Sequence, residues 1–127
     1  MNANGNYRKT FLEEKRKKIS DYISLKHPEK LPIIVEYEEN FPNEFRIEEC
    51  KYLVNNSFRV FEFTKFLREK IKLSSVKGLL VYINFQSNKK QKKILINQSD
   101  LLGTVHNNYS HTDGFLYLSL GIESVFG

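Results

Sequence analysis

The feature that most constrains the fold is an apolar, aromatic-rich segment close to the C-terminus. Residues 113–120 read DGFLYLSL, and residues 121–127 follow as a short tail that ends in Gly127. A Gly followed by aromatic and branched residues over this length is typical of a buried β-strand that begins at a turn. We therefore expect residues 113–120 to form a strand that holds the fold together.

The length and composition are those of one globular domain. The chain has 127 residues, of which 40% are hydrophobic and 13% aromatic, and this is enough for one aromatic-rich core. Cys50 is the only cysteine, which excludes an internal disulfide. No apolar run approaches the roughly 18 residues of a membrane-spanning helix.

Helical signals begin at two places. Thr10 followed by Glu13 is a capping-box pattern, and that helix should end before Pro28. Its apolar face is expected to consist of Leu12, Ile19, Tyr22 and Ile23. Ser57 is a suitable N-cap for a second helix. The apolar residues on one face of that helix are Val60, Phe63, Leu67 and Ile71. Three phenylalanines lie off this stripe and predict either a second, exposed apolar surface or a larger aromatic core: Phe58, Phe61 and Phe66.

Strand signals complete a recognisable order of elements. Residues 31–38 and 51–54 are expected to be strands, and residues 79–83 form an apolar run that predicts a strand buried on both faces. Residues 101–105 suggest a short helical turn before the closing strand. The order of helix, strand, strand, helix, strand, short helix and strand predicts an α+β, β-grasp (ubiquitin-like) fold with an N-terminal helical extension.

The expected domain boundaries follow from this order. Residues 1–9 should be a flexible N-terminus, residues 10–120 the domain with its N-terminal helix, and residues 121–127 a C-terminal tail.

The net charge of +5 favours anionic partners without choosing among them. Residues 87–93 contain a basic run: Lys89, Lys90, Lys92 and Lys93. We expect a solvated loop here and no nucleic-acid partner. The alternative, a nucleic-acid patch, predicts binding that falls steeply with salt.

Conventional catalytic sites are poorly supported. His27, His106 and His111 have no nearby cysteine partner, and the spacing of His106, His111 and Asp113 is loose for a metal site. Cys50 lacks an evident base. We therefore predict no enzymatic activity, no cofactor and no metal.

Five ordered segments resemble the GABARAP-type autophagy modifiers, members of the autophagy-related protein 8 family. These segments are KHPEKLPIIVE (26–36), KYLV (51–54), REKI (68–71), DGFLY (113–117) and ESVFG (123–127). Together they extend over most of the chain, so the resemblance is specific.

The resemblance implies conjugation through the C-terminal glycine. Gly127, preceded by Phe126, would be activated by an E1-like enzyme, passed to an E2-like enzyme and joined to the amine of phosphatidylethanolamine. A glycine carboxylate suits such a transfer because it has no side chain to obstruct it. The protein would be cytoplasmic and, after lipidation, on the autophagosome membrane. The alternative is a non-conjugated ubiquitin-like module that binds peptides and does not use its tail.

The resemblance also implies capture of autophagy cargo receptors and adaptors. Their short motifs, an aromatic residue followed three positions later by an aliphatic one, add as a strand to the sheet edge. The aromatic pocket would consist of Ile23, Pro32, Lys51, Leu53 and Phe115. The aliphatic pocket would consist of Tyr52, Val54, Phe58, Phe63 and Phe66. Lys30, Lys51 and Arg68 would pair with acids that flank the motif.

Some positions depart from the family pattern. Asn55 replaces a common proline, and Ile19 and Glu49 replace an acidic and a basic residue near the aromatic pocket. Residues 84–113 contain an insertion of about eight residues, which surface loops tolerate. These changes predict an altered preference for acidic motifs.

Overall fold

A mixed five-stranded sheet carries helices on both faces. The computed structural model describes residues 6–74 and 77–124. Its elements are α1 (Asn6–Thr10), α2 (Glu13–Lys26), β1 (Lys30–Tyr37), a 3₁₀ turn (Asn43–Phe45), β2 (Lys51–Asn55), α3 (Val60–Ile71), β3 (Lys77–Ser87), β4 (Lys90–Leu95), α4 (Leu102–Tyr109) and β5 (Leu116–Ser124). The strand order is β2-β1-β5-β3-β4. This architecture confirms the α+β, β-grasp prediction with its N-terminal helical extension.

The closing strand β5 lies at the centre of the sheet. It pairs in parallel with β1 and antiparallel with β3. Leu116, Leu118 and Leu120 have no exposed surface, which agrees with the buried strand expected from the sequence. The turn before it needs a glycine, because Gly114 has a φ of +90° and a Cβ there would collide with Ser20 Oγ.

The N-terminal segment differs from the expectation of a flexible region. Residues 6–10 form α1, and Tyr7 is only 4% exposed. Its ring packs against the rings of Phe11 and Phe115, each at a centroid distance of 5.2 Å. Burial of this aromatic side chain holds the segment in place. Residues 1–5 lie outside the described residues.

The expected start of the first long helix is wrong, and its expected apolar face is only half right. Thr10 belongs to α1, and α2 begins at Glu13 without a side-chain cap. Leu12 is 82% exposed and Tyr22 is 60% exposed, whereas Ile23 is buried and Ile19 is partly buried against the core. The α2 surface that faces the sheet includes polar side chains, so its apolar pattern alone misplaces the face.

The second long helix has the predicted core face but begins later. Val60, Phe63, Leu67 and Ile71 are all buried. The N-cap is Arg59, whose backbone N–H donates to the Glu62 carboxylate at 2.8 Å. Ser57 instead donates its backbone N–H and hydroxyl to Asn55 Oδ1. The N-cap prediction for Ser57 is therefore wrong.

The apolar run at 79–83 belongs to β3 but is not buried on both faces. Val81 and Ile83 are buried, whereas Leu80 and Tyr82 on the opposite face are partly exposed. The helices α3 and α4 pack against one side of β3, so only alternate residues join the core.

The basic run is a hairpin strand and not a loop. The two-residue turn between β3 and β4 consists of Asn88 and Lys89, with φ angles of 53° and 64°. Turns with two positive φ angles match the twist of a β-hairpin. Lys90, Lys92 and Lys93 lie in β4, where every residue is exposed. An edge strand tolerates such a polar composition.

A buried carboxylate joins α2 to the start of β5. Asp113 is 1% exposed. Its Oδ2 accepts hydrogen bonds from Arg16 Nε at 2.8 Å and from the Tyr117 hydroxyl at 2.6 Å. The Ser20 hydroxyl donates to the Asp113 carbonyl, and Arg16 Nη1 donates to the Phe11 carbonyl at 2.5 Å. The pKa of Tyr117 is raised by burial and by the hydrogen bond to Asp113.

Replacement of Arg16 by Ala should lower the free energy of unfolding by about 3 kcal/mol, since the buried Asp113 carboxylate loses its positively charged partner. Chemical denaturation would measure this change. Arg16→Lys is the matched control and should lose less, because it retains the charge. A loss below about 1 kcal/mol for Arg16→Ala, as for an exposed pair, would contradict a structural role for this ion pair.

Two histidines hold the segment between α4 and β5. The His106 Nε2–H donates to the Gly114 carbonyl at 2.8 Å, and the His111 Nε2–H donates to the Asn84 carbonyl at 2.9 Å. Burial lowers the pKa of both imidazoles, and the hydrogen bonds only partly offset this effect. The folded state therefore favours the neutral form of each ring.

Stability should fall as the pH decreases below about 6.5, the ordinary pKa of histidine. The unfolded chain takes up protons there before the folded chain does, so protonation favours unfolding. Thermal denaturation at pH 7.5 and pH 5.5 would measure the shift in melting temperature. The double variant His106→Gln and His111→Gln should show a smaller pH dependence. An unchanged dependence would contradict the assignment to these two residues.

Candidate functional site

Strand β2 is one free edge of the sheet. It pairs on one side with β1, with Leu53 opposite Pro32 and Tyr52 opposite Ile33. Val35 N donates to Cys50 O at 2.8 Å, which marks Val35–Cys50 as a hydrogen-bonded pair. These pairs alternate along an antiparallel ladder.

The same alternation fixes the directions of the β2 backbone groups. Lys51, Leu53 and Asn55 occupy the non-hydrogen-bonded positions of the ladder, so their N–H and C=O groups face outward. Pro32 lies opposite Leu53 at such a position, where its missing N–H removes no ladder bond. The β2 edge can therefore accept another strand.

Every residue predicted for the aliphatic pocket lines one groove of about 380 Å³. The lining residues are Lys30, Tyr52, Leu53, Val54, Asn55, Phe58, Phe63 and Phe66. The rings of Phe63 and Phe66 stack at 6.1 Å, and the Tyr52 ring meets both edge to face at 5.9 and 6.0 Å. The fold thus brings together residues that are far apart in the sequence: Lys30 and Phe66 are separated by 36 positions.

The three phenylalanines of this groove differ in exposure. Phe58 is 36% exposed and Phe66 is 44% exposed, whereas Phe63 is only 3% exposed. Phe63 therefore belongs mainly to the core and forms the base of the groove. Phe58 and Phe66 present apolar surface to a ligand.

The residues predicted for the aromatic pocket lie on the opposite face of the sheet. Lys51 and Leu53 alternate with Tyr52 along β2, so their side chains project to the other side, and Leu53 also borders the groove at the edge of the strand. Leu53 is 42% exposed, while Ile23 and Pro32 are buried.

Phe115 lies deeper than the sequence predicts. It has no exposed surface, and the Tyr7 ring packs on it edge to face. A peptide could reach the Phe115 ring only if Tyr7 moved. In this conformation Phe115 supports the pocket from below.

The charged residues near the edge differ in exposure and in hydrogen bonding. Lys51 is exposed and Lys30 is partly buried at the groove. Arg68 Nη2 donates to the carbonyls of Ser74 and Lys77 at 2.7 and 2.5 Å. The Arg68 guanidinium therefore supports the connection after α3, a role that the sequence analysis missed.

Another partner that the sequence did not reveal is Lys70. Its Nζ lies 3.0 Å from Glu49 Oε1. This pair reduces the negative charge that Glu49 brings close to β2. The sequence shows only that Glu49 departs from the family pattern. It could not show that Glu49 meets Lys70, which lies in a different segment.

A second groove lies along the exposed side of α2. Its volume is about 520 Å³, and it is lined by Leu12, Glu14, Lys15, Lys18, Ile19 and Tyr22. Leu12, Ile19 and Tyr22 were predicted to share an apolar face of the helix, and this helical spacing was the signal in the sequence for the groove.

Other candidate sites have less support in the described residues. Within 6–74 and 77–124 there is no group of three or more acidic, histidine or cysteine side chains arranged to hold a metal ion. Burial raises the pKa of the Cys50 thiol, which disfavours the thiolate that a nucleophile needs. No helix of the described part is long and apolar enough to cross a bilayer. Phe126 and Gly127 lie outside the described residues.

The family is decided by comparison with known proteins. The family model described as "Autophagy protein Atg8 ubiquitin like" matches residues 15–127. The chain belongs to the Atg8 family. It is 33% identical over 116 residues to autophagy-related protein 8e of Arabidopsis thaliana, covering 90% of this chain and 86% of that relative.

Two further relatives agree with this assignment. Autophagy-related protein 8 of Schizosaccharomyces pombe is 31% identical over 121 residues, covering 95% of this chain and 93% of that protein. The crystal structure of Trypanosoma brucei ATG8 has a TM-score of 0.79 and 27% identity, covering 98% of this chain and 99% of that one. This Atg8-family chain is thus a ubiquitin-like protein of autophagy with a β-grasp fold.

Truncation of the two stacked phenylalanines should separate the core from the groove surface. Phe63→Ala should lower the free energy of unfolding by about 3–5 kcal/mol, because it leaves a cavity in the core. Phe66→Ala should lower it by only about 1 kcal/mol, because the side chain is 44% exposed and the truncation leaves no enclosed cavity. Urea denaturation of both variants would measure this difference. Equal losses would contradict the assignment of Phe66 to the surface of the groove.

Proposed function

We propose that this chain is a ubiquitin-like modifier that captures receptors with aromatic-x-x-aliphatic motifs and is conjugated through Gly127 to phosphatidylethanolamine. The observation that carries the receptor-binding part is the arrangement at β2. An edge with outward backbone groups separates Leu53 on one face of the sheet from the groove of Phe58 and Phe66 on the other.

The spacing of such a motif fits this arrangement. Successive side chains of a strand point to opposite faces, so two residues three positions apart also point to opposite faces. If the peptide adds to β2, its aromatic side chain lies on the Leu53 face and its aliphatic side chain enters the groove. Main-chain hydrogen bonds to Lys51, Leu53 and Asn55 would set the register.

The charges provide a weaker contribution. Lys30 and Lys51 can pair with acids beside the motif, but exposed pairs usually contribute less than about 1 kcal/mol each. Most of the affinity should therefore come from the buried apolar side chains of the motif. The altered surroundings of Glu49 and Asn55 should reduce the preference for acidic flanks.

The proposed conjugation gives the same molecule a membrane anchor. A buried lipid chain contributes about 0.8 kcal/mol per methylene, and stable anchoring needs two such signals. An amide to a lipid with two chains is therefore sufficient. The chain would be a substrate of E1-like and E2-like enzymes without catalytic activity of its own. It would move from the cytoplasm to the autophagosome membrane on lipidation.

The GABARAP-type branch is part of this proposal, supported by the segments at 26–36 and 51–54. The alternative is a ubiquitin-like binding module that uses the β2 edge without conjugation. Both proposed functions need the groove for peptide binding, but only the conjugated modifier needs Gly127.

Leu53→Ala should weaken the binding of a motif peptide by roughly tenfold, because it removes a partly exposed apolar contact of about 1–2 kcal/mol. Isothermal titration calorimetry would measure the dissociation constant. Leu12→Ala is the matched control on the α2 groove and should leave it unchanged. An unaltered affinity for Leu53→Ala would exclude the proposed aromatic pocket.

Two variants should each impair one of the two proposed activities: Leu53→Ala should impair peptide binding and Gly127→Ala should impair conjugation. With E1-like and E2-like enzymes of the family, ATP and phosphatidylethanolamine liposomes, the unmodified chain and Leu53→Ala should form a lipid adduct of the expected mass. Gly127→Ala should form none or far less but should bind the peptide normally. A chain that never forms an adduct, under conditions in which a relative reacts, would favour the non-conjugated module.

A further inference from the structure

The sheet has a second free edge, formed by β4. This six-residue strand follows the two-residue turn and pairs with β3 on one side. No other strand of the described residues pairs with its outer side. Six residues in extended conformation present about 20 Å of edge, which is long enough for a short peptide strand.

The register determines which backbone groups this edge offers. Ser87 lies opposite Lys90 and closes the two-residue turn, and Ile96 N donates to Val81 O at 2.9 Å. Both observations identify the same set of hydrogen-bonded pairs. In this set the backbone groups of Lys90, Lys92 and Ile94 bond to β3. The N–H and C=O groups of the intervening residues face outward. These residues are Gln91, Lys93 and Leu95.

The side chains of this edge are strongly basic. The turn and β4 contain Lys89, Lys90, Lys92 and Lys93 and no acidic residue. Lys93 pairs with Glu38, and no ion pair joins Lys90 or Lys92 to another residue of the described chain. Burial alone would raise the pKa of Glu38, but hydrogen bonds from Lys93 and Ser119 lower it. The Lys93 pair is therefore charged, while Lys90 and Lys92 remain open to a partner.

We propose that the outer edge of β4 binds an extended acidic peptide by strand addition. Main-chain bonds to Gln91, Lys93 and Leu95 would align the peptide, and carboxylates would face Lys90 and Lys92. Ile94 is 37% exposed and Leu95 is 59% exposed. Because they project to opposite faces, they can contact apolar side chains on either side of the added strand.

Other occupants fit this edge less well. A second copy paired through β4 would place lysines opposite lysines, which is destabilising. Lys90 and Lys92 project from one face of the sheet and Lys93 from the other, so no single face presents all of them to a membrane or a nucleic-acid duplex. The cleft on the Lys93 face is lined by Glu36, Glu38 and Glu39 as well as by Arg8, Lys9 and Lys93, so its charges balance and it offers no basic surface.

This second edge is distinct from the motif-binding edge. Four inter-strand spacings separate β2 from β4, a distance of roughly 19 Å across the sheet. One molecule could therefore hold two peptide segments at once, and two linked segments of one partner would bind with increased avidity.

Backbone amide exchange would test the strand addition on the unmodified chain. The probe is acetyl-Glu-Val-Glu-Val-Glu-Val-amide at low salt, with exchange followed by two-dimensional NMR. The peptide should slow exchange at the amides of Gln91, Lys93 and Leu95. The inward amides of Lys90, Lys92 and Ile94 should change little because they are already bonded. Absence of this alternation, or protection confined to β2, would overturn the proposal.

A proline variant would test the main-chain bonds. Gln91→Pro removes one outward N–H without removing a bond to β3. It should weaken peptide binding by about fivefold, the effect of one hydrogen bond. Gln91→Thr keeps the N–H and should bind normally. Equal affinities for the two variants would overturn the proposal. If Gln91→Pro fails to fold, the exchange pattern of the unmodified chain decides the question.

Charge variants and other anions would test the identity of the occupant. Lys90→Gln combined with Lys92→Gln should weaken peptide binding by about fivefold at low salt. Phosphatidylserine vesicles and a DNA duplex should bind far more weakly than the peptide. If either anion instead binds more tightly, and Gln91→Pro does not weaken that binding, β4 is a charged surface and not a peptide edge.

Discussion

The burial of β5 is the constraint on which the rest of the structure depends. Its leucines face a core covered by α3 and α4, while Phe115 and Tyr117 face the N-terminal helices. Both hydrogen-bonding sides of β5 are used by β1 and β3. The free edges of the sheet therefore fall on β2 and β4. A chain that closes with its central strand needs many contacts between distant segments before the sheet is complete.

The N-terminal helices are joined to this strand by polar contacts as well as by packing. Asp113 accepts hydrogen bonds from Arg16 and Tyr117, and Tyr7 covers Phe115. A buried ion pair specifies one arrangement strongly when every partner is present. The same contacts position α2 beside β1 and so define the Leu53 side of the β2 edge.

The sequence predicted the elements whose apolar pattern agrees with their environment. The stripe from Val60 to Ile71 and the strand at 31–38 are examples, since packing and periodicity give the same answer there. On α2 the pattern misled, because the partly buried Arg16 and the buried Ser20 face inward and donate hydrogen bonds to Asp113. Residues 90–93 of β4 were mistaken for a loop, since lysines are typical of solvated loops and also of edge strands.

The groove residues were named from the family resemblance. The β1–β2 register places Tyr52 and Val54 on one face, and the packing of α3 brings Phe63 and Phe66 to the same groove. Pattern alone could show that Phe58 and Phe66 lie off the core stripe of α3. It could not show that Tyr52 meets Phe66, or that Tyr7 covers Phe115, because these contacts join distant segments. Long-range contacts of this kind depend on the assembled sheet.

The central claim is that a peptide strand added to β2 places its aromatic side chain on one face of the sheet and its aliphatic side chain on the other. Intermolecular NOE measurements on a complex with a labelled aromatic-x-x-aliphatic peptide test this claim most directly. We expect contacts from the aromatic ring to Leu53 and from the aliphatic methyl groups to Phe58 and Phe66. Contacts of both side chains with one face, or with Leu12 and Tyr22 on α2, would contradict it.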